Sequence, residues 1–228
     1  MSQYGFIKVP RNIEVATANC KPPTPQQLTS LPTSPLARFI LDYATEELPS
    51  RVFYHSLRVF QYSASIINDH FSNWNLDFEV LFITCLLHDI GTTKKNMLAT
   101  KMSFEFFGGL ISRDLILDRT GGDNDYADAV SEAIIRHQML GETGFITSLG
   151  LVLQIATLVD NIGRSTHLVH VDTLNAINLK YPREGWSSCF AKVIDKENAE
   201  KPWGNTSALG VEHFRNDVLH NQFEYSKS

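Results

Sequence analysis

Cysteine is scarce in this 228-residue chain: Cys20, Cys85 and Cys189 are odd in number, far apart and in no paired-ligand spacing. That excludes a disulfide framework and a thiolate zinc site, and it points to a reducing compartment. Basic charge is also short, with 20 Lys+Arg against 25 Asp+Glu and a formal net charge of -5, so attraction to nucleic acid or an anionic membrane is disfavoured. Met1 to Pro10 holds no apolar run of signal-peptide length. The longest uncharged stretch, Thr143 to Val159, is broken by Thr, Ser, Gln and Gly. A cytoplasmic protein with no membrane partner is expected, in which the sequon Asn205-Thr206-Ser207 has no use. Alternating strand patterns of useful length, internal repeats and low-complexity tracts are missing as well.

Helical periodicity is abundant. Six of the nine prolines fall within the first 35 residues, so residues 1–33 read as an extended arm. Ser34-Pro35 then caps a helix carrying Leu36, Phe39, Ile40, Tyr43 and Ala44 on one face. Ser50 opens a second, mostly buried helix. A third, from about Asp77, is apolar all round through Leu87 and ends in His88-Asp89, with Gly91 as its C-terminal stop. Further helices are expected from Ser103 to about Asp118, from Asp123 or Asp125 to His137, from Ser148 to Asp160 and from Asp172 to Tyr181. The tail adds two, around Ala191 to Ala199 and Val211 to Asn221. The fold class is all-α: one domain of about eight helices over residues 34–228, the tail forming a C-terminal helical extension.

A His-Asp dipeptide occurs by chance about once in two chains of this composition, so placement must carry the argument. An all-apolar helix that ends in His88-Asp89 buries two ionisable groups, and buried charges persist when paired or metal-bound. His55 lies in the buried second helix, and Asp160 ends the apolar stretch from Leu149 to Val159. Three helices thus turn an imidazole or carboxylate inward. His55, His88, Asp89 and Asp160 form an N,N,O,O set suited to zinc or another first-row divalent ion with a position left for water. The plainer reading makes His55 a hydrogen-bonded core histidine and both aspartates capped helix-end residues.

The order His55, then Leu86-Leu87-His88-Asp89-Ile90-Gly91, then Asp160 resembles the HD-domain superfamily of all-helical metal-dependent hydrolases. The chain is more specifically similar to the fungal cyanamide hydratase family. The residues that carry this are His55-Ser56-Leu57-Arg58-Val59-Phe60-Gln61-Tyr62, residues 100–109, Ala133-Ile134-Ile135-Arg136-His137-Gln138, Gln154-Ile155-Ala156-Thr157 with Asp160-Asn161, and the opening Met1-Ser2-Gln3-Tyr4-Gly5-Phe6. The resemblance implies a single HD-domain bundle with one Zn2+ per chain that adds water to the nitrile of cyanamide and releases urea. It implies His55, His88, Asp89 and Asp160 as ligands, with His137 and Thr157 beside the substrate. Two-metal members carry extra histidines after the His-Asp pair. Met102 to Gly109 has none, which argues against a second metal, with a lone remnant of such a site left open for His137.

Zinc lowers the pKa of a bound water toward neutrality, giving a hydroxide that attacks an electrophilic carbon. With two aspartates and hydroxide the site sums to -1, which suits a small neutral nitrile better than a phosphate. An HD-type nucleotide phosphohydrolase, the rival enzyme, would need cations, for which Arg58, Lys94, Lys95, Lys101 and Arg136 are candidates, each more often solvated. Nitrile hydration needs proton delivery to nitrogen, for which His137 and the free oxygen of Asp89 are candidates. Thr157, one turn before Asp160, points its hydroxyl to the cavity or bonds the preceding turn. Phe104, Phe106, Phe107, Trp186 and Trp203 could close a small dry pocket over the metal but more often at such spacings are core. Gly108-Gly109 reads as a close helix contact, and Cys85 as a small core residue. A catalytically silent metal-stabilised module is the reading outside enzymology. The arm could wrap its own domain or a second subunit, so a homodimer is open.

Overall fold

The computed structural model describes residues 4–224. Met1, Ser2 and Gln3 of the opening hexapeptide and residues 225–228 of the expected extension lie outside them. The short helix α1 (Ile13–Thr17) precedes α2 (Pro35–Glu47), α3 (Ser50–His70), α4 (Phe78–Leu87), α5 (Lys94–Ala99), α6 (Phe104–Thr120) and α7 (Asn124–Arg136). These are followed by α8 (Ser148–Ile162), α9 (Val171–Lys180), α10 (Trp186–Glu200) and α11 (Val211–Leu219). The all-α expectation holds, with eleven helices among the described residues rather than about eight. Two of the additions, α1 and α5, have 5 and 6 residues, too few to show a period.

Local chemistry sets the main boundaries. Ser34 accepts the Ala37 amide at 3.0 Å and Pro35 fills the first turn of α2. Asp77 caps α4 through the Glu79 amide at 2.7 Å, and Thr147 caps α8 through Gly150 at 3.1 Å. Gly163, at φ 70°, takes the left-handed conformation that ends α8. Helices α3, α4 and α8 pack on one another at the centre. α4 is buried from Val80 through Leu87 and α8 from Ser148 through Asn161, as helices apolar on every side require.

One expectation fails in detail: a small antiparallel sheet exists, pairing β1 (Lys8–Pro10) with β2 (Phe145–Thr147) in the register Val9↔Ile146. Three residues per strand are too few to leave an alternating pattern. Residues 18–33 carry no regular structure, yet the arm is tied down. Thr24 bonds Asp69, Gln26 bonds Thr173, and Thr29 exchanges two hydrogen bonds with Gln61. Arg11 clips the loop after α7, donating to the Met139 carbonyl at 2.6 and 3.0 Å and to that of Leu140 at 3.1 Å.

Candidate metal centre

The centre forms where four helices converge. α3 brings His55, the end of α4 brings His88 and Asp89, the end of α7 brings His137, and α8 brings Thr157 and Asp160. None of the six is more than 5% exposed. After α4 the chain tightens into a 3-10 turn at Ile90–Thr92, where the Thr92 amide and hydroxyl both donate to the Asp89 carbonyl at 2.9 and 2.7 Å. Gly91 is not the left-handed stop expected of it, because its φ is not positive. A Cβ there would lie 2.0 Å from the Phe104 carbonyl oxygen, so glycine is needed to let this turn seat on the start of α6. Gly109 does make the expected close contact, since a Cβ there would meet the Ile135 side chain at 2.5 Å.

Each histidine is oriented through its Nδ1. That of His88 lies 2.7 Å from the Cys85 carbonyl and that of His137 lies 2.7 Å from the Ile134 carbonyl; a carbonyl only accepts, so both protons are assigned to Nδ1. His55 Nδ1 donates to Asp160 Oδ2 at 2.6 Å. In the neutral rings all three Nε2 atoms are left with lone pairs. His55 Nε2 and His88 Nε2 face each other at 3.1 Å, with Asp89 Oδ2 at 3.6 and 3.3 Å from them. Two lone pairs and a carboxylate at this spacing repel unless a cation sits among them. The ligand atoms of His55, His88 and Asp89 all lie within 4.8 Å of one another, and the Nδ1 bonds supply the orienting partners that metal-bound histidines use. The residues present fit a divalent metal.

Burial dominates the titration of the rings. It pulls His55 down to about 4 against the pull of Asp160, and His137 down to about 4, so both are neutral donors near pH 7. For His88 burial is outweighed by Asp89 and the Cys85 carbonyl, and its pKa rises. Asp89 is held well below the carboxylate range despite its burial, because His88, His55 and His137 face it.

Asp160 sits differently. Its Oδ2 accepts from His55 and from Arg58 at 2.8 Å, and its Oδ1 accepts from Arg58 at 2.8 Å and from Arg183 at 2.9 Å. The structure therefore brings His55, His88 and Asp89 together, sets His137 Nε2 3.9 Å from Asp89 Oδ1, and puts Asp160 against the Nδ1 side of His55. Thr157 donates its hydroxyl to the Gln154 carbonyl at 3.0 Å and also lines a small cavity with His137, Leu158, Asn161, Leu209 and Phe214.

Several partners escape sequence reasoning. Arg58, grouped with solvated cations, is fully buried and committed to Asp160. Its place one turn after His55 in a buried helix was the available signal. Arg136 bonds Glu132 and the Phe145 carbonyl, while Lys94, Lys95 and Lys101 are exposed. Arg183 and the tail contacts had no local signature: Glu224 holds Arg183 at 3.0 Å and Asn221 donates to the Asp160 carbonyl at 2.8 Å. Trp186 is core, as expected, and also stacks on His55 with ring centroids 4.2 Å apart, whereas Trp203, read as core, is exposed and bonds the Lys101 carbonyl.

No helix among the described residues is long and apolar enough to cross a membrane. The HD domain family model matches residues 52–165, the span that carries His55, His88, Asp89 and Asp160. Two curated proteins of Saccharomyces cerevisiae, cyanamide hydratase DDI2 and cyanamide hydratase DDI3, are each 57% identical over 226 residues, covering 99% of this chain and 100% of the relative. From the pattern, the geometry and these matches, the chain belongs to the HD domain family, in the branch that contains the two yeast proteins.

Proposed function

We propose that this protein is a cytoplasmic enzyme that hydrates the nitrile of cyanamide to urea with one zinc ion per chain. The supporting observation is a buried set of mutually facing donors, His55, His88 and Asp89, next to a small cavity lined by His137 and Thr157. His55 Nε2, His88 Nε2 and Asp89 would hold the metal. Asp160, expected as a fourth ligand, acts in this reading as the carboxylate that orients His55. Zinc, when bound, supplies Lewis acidity and an ionised water near neutral pH.

The chain supplies the rest. Asp89 Oδ1, turned toward His137, would take the proton released by the attacking water and pass it to His137 Nε2, which lies 3.9 Å away and must close to hydrogen-bond distance with substrate bound. The Nδ1–H of His137 is locked on the Ile134 carbonyl, so only Nε2 exchanges protons. A ring held down to about 4 carries that extra proton briefly and gives it up to the nitrile nitrogen. Oxygen bonds to carbon, one C–N π bond breaks, and the isourea formed tautomerises to urea. Thr157, its hydroxyl hydrogen spent on Gln154, offers oxygen lone pairs to the amine of cyanamide.

The placement of the cations supports a neutral substrate, although with Arg58 and Arg183 on Asp160 the centre is more positive than a count of two free aspartates suggests. Those two guanidiniums, being committed, are not available to clamp a phosphate. The deciding assay is urea release from cyanamide by purified protein before and after chelation. Stripping the metal should lower the rate at least a hundredfold and zinc should restore it, while nucleoside monophosphates stay intact. A folded, zinc-replete sample that yields no urea rejects the reading.

A further inference from the structure

The cavity beside His137 is lined by polar His137, Gln138, Thr157 and Asn161 and by apolar residues that include Leu209 and Phe214. Its free volume is about 20 Å³, enough for one water-sized group. Two of the apolar residues come from the C-terminal extension, outside the span matched by the HD domain model. Leu209 ends the 3-10 turn Asn205–Leu209, and Phe214 lies in the first turn of α11.

Phe214 is not free to swing aside. Its ring meets Phe190 edge to face at 6.2 Å between centroids, Phe190 stacks on Trp186 at 5.1 Å, and Trp186 stacks on His55 at 4.2 Å. A column of three aromatic rings thus braces the cavity wall against a residue of the metal centre, and packed aromatic walls discriminate by volume because they do not relax. Leu209 is half-buried and precedes Gly210 at φ 86°, so it is the less constrained member of the wall.

We propose that Leu209 and Phe214 are specificity-determining residues that admit an unsubstituted amine on the nitrile carbon and reject a substituted one. This rests on the hydratase reading and deepens it. With the nitrile carbon near the metal centre, the amine end of the substrate enters the cavity. An NH2 group is close to water in size and fits, whereas a dimethylamino group does not.

The experiment compares cyanamide with N,N-dimethylcyanamide, which takes up one water to give N,N-dimethylurea. Zinc-loaded wild type, Phe214→Ala and Leu209→Ala are assayed for both products, with circular dichroism to check the fold. Wild type should show kcat/KM for the dimethyl substrate at least a hundredfold below that for cyanamide. Each variant should raise the ratio of the two constants at least tenfold, the scale set by a methyl-sized space in an apolar pocket. If Phe214→Ala does not fold, Leu209→Ala alone carries the test. A wild-type ratio near one, or a ratio unmoved in the folded variants, overturns the proposal while urea release keeps the hydratase reading. No urea from wild type overturns both.

Discussion

Asp89 and Asp160 each stand at or near the C-terminal end of a buried apolar helix, and in the sequence they look alike. In the structure they are opposites. Asp160 has every acceptor position filled by N–H groups at 2.6 to 2.9 Å, two guanidiniums among them. Among the described residues Asp89 faces imidazole nitrogens alone, at 3.3 to 3.9 Å. A carboxylate whose lone pairs are saturated by donors is a fixture that holds other groups in place. One that faces lone pairs across short gaps is incomplete without a cation. Helix-end burial alone does not distinguish a carboxylate open to a cation from one already saturated; the donor inventory does.

Exchanging each aspartate for its amide tests this contrast most severely. In the proposed reading Asp89→Asn removes the charge that would offset the metal, and kcat/KM should fall at least 10³-fold, with zinc content below one tenth per chain by atomic absorption and the fold intact. Asp160→Asn should act first on stability. It leaves Arg58 buried without its counter-charge, so urea unfolding should show a loss of about 3–5 kcal/mol. Zinc affinity should weaken only about 10–100-fold, as for loss of a group that orients a ligand. A folded Asp160→Asn protein as metal-free as Asp89→Asn would instead make Asp160 a direct ligand.

A third buried carboxylate sharpens the contrast with a smaller effect. Glu105 is fully buried; Asn205 donates to one oxygen at 2.6 Å and the other oxygen has no hydrogen-bond partner among the described residues. Burial, aided by Glu197 and Asp89, pushes its carboxyl up to about 7 from 4.5, against its own backbone amide and Asn205. Between those two values the folded protein keeps a proton that the unfolded chain has lost. Its contribution to stability is therefore complete below about 4.5 and is lost as pH rises to about 7. Glu105→Gln mimics the protonated acid at every pH. Its stability relative to wild type should improve from pH 5 to pH 8 by up to about 3 kcal/mol, measured by urea unfolding at equal zinc loading. A gap that does not change with pH would show that Glu105 is ionised throughout.

These three carboxylates also mark how far the sequence could be read. α4 and α8 were legible because all-round apolarity has one outcome in a small domain, and the ends of those helices exposed His88, Asp89 and Asp160 as exceptions. α10 was placed five residues late, since Gly185 starts it with φ 79° and no side-chain cap. What stayed hidden was pairing at long range. Arg58 and Asp160 are 102 residues apart, and Arg183 reaches Asp160 from a loop without periodicity. Residue type and spacing give the candidates. Only the packed chain decides which candidate neutralises which, and that decided the different surroundings of the two aspartates.

The clip made by Arg11 bears on how the molecule is assembled. Arg11 grips carbonyls 128 and 129 residues downstream, and Lys8 pairs with Thr147. A ribosome delivers the arm first, so these first residues must wait undocked until well over half of the chain has emerged. Such distant closures carry a large entropic cost and form late. The loop that follows His137 is therefore held by contacts of high sequence separation, which cost more closure entropy than the local contacts within the helices.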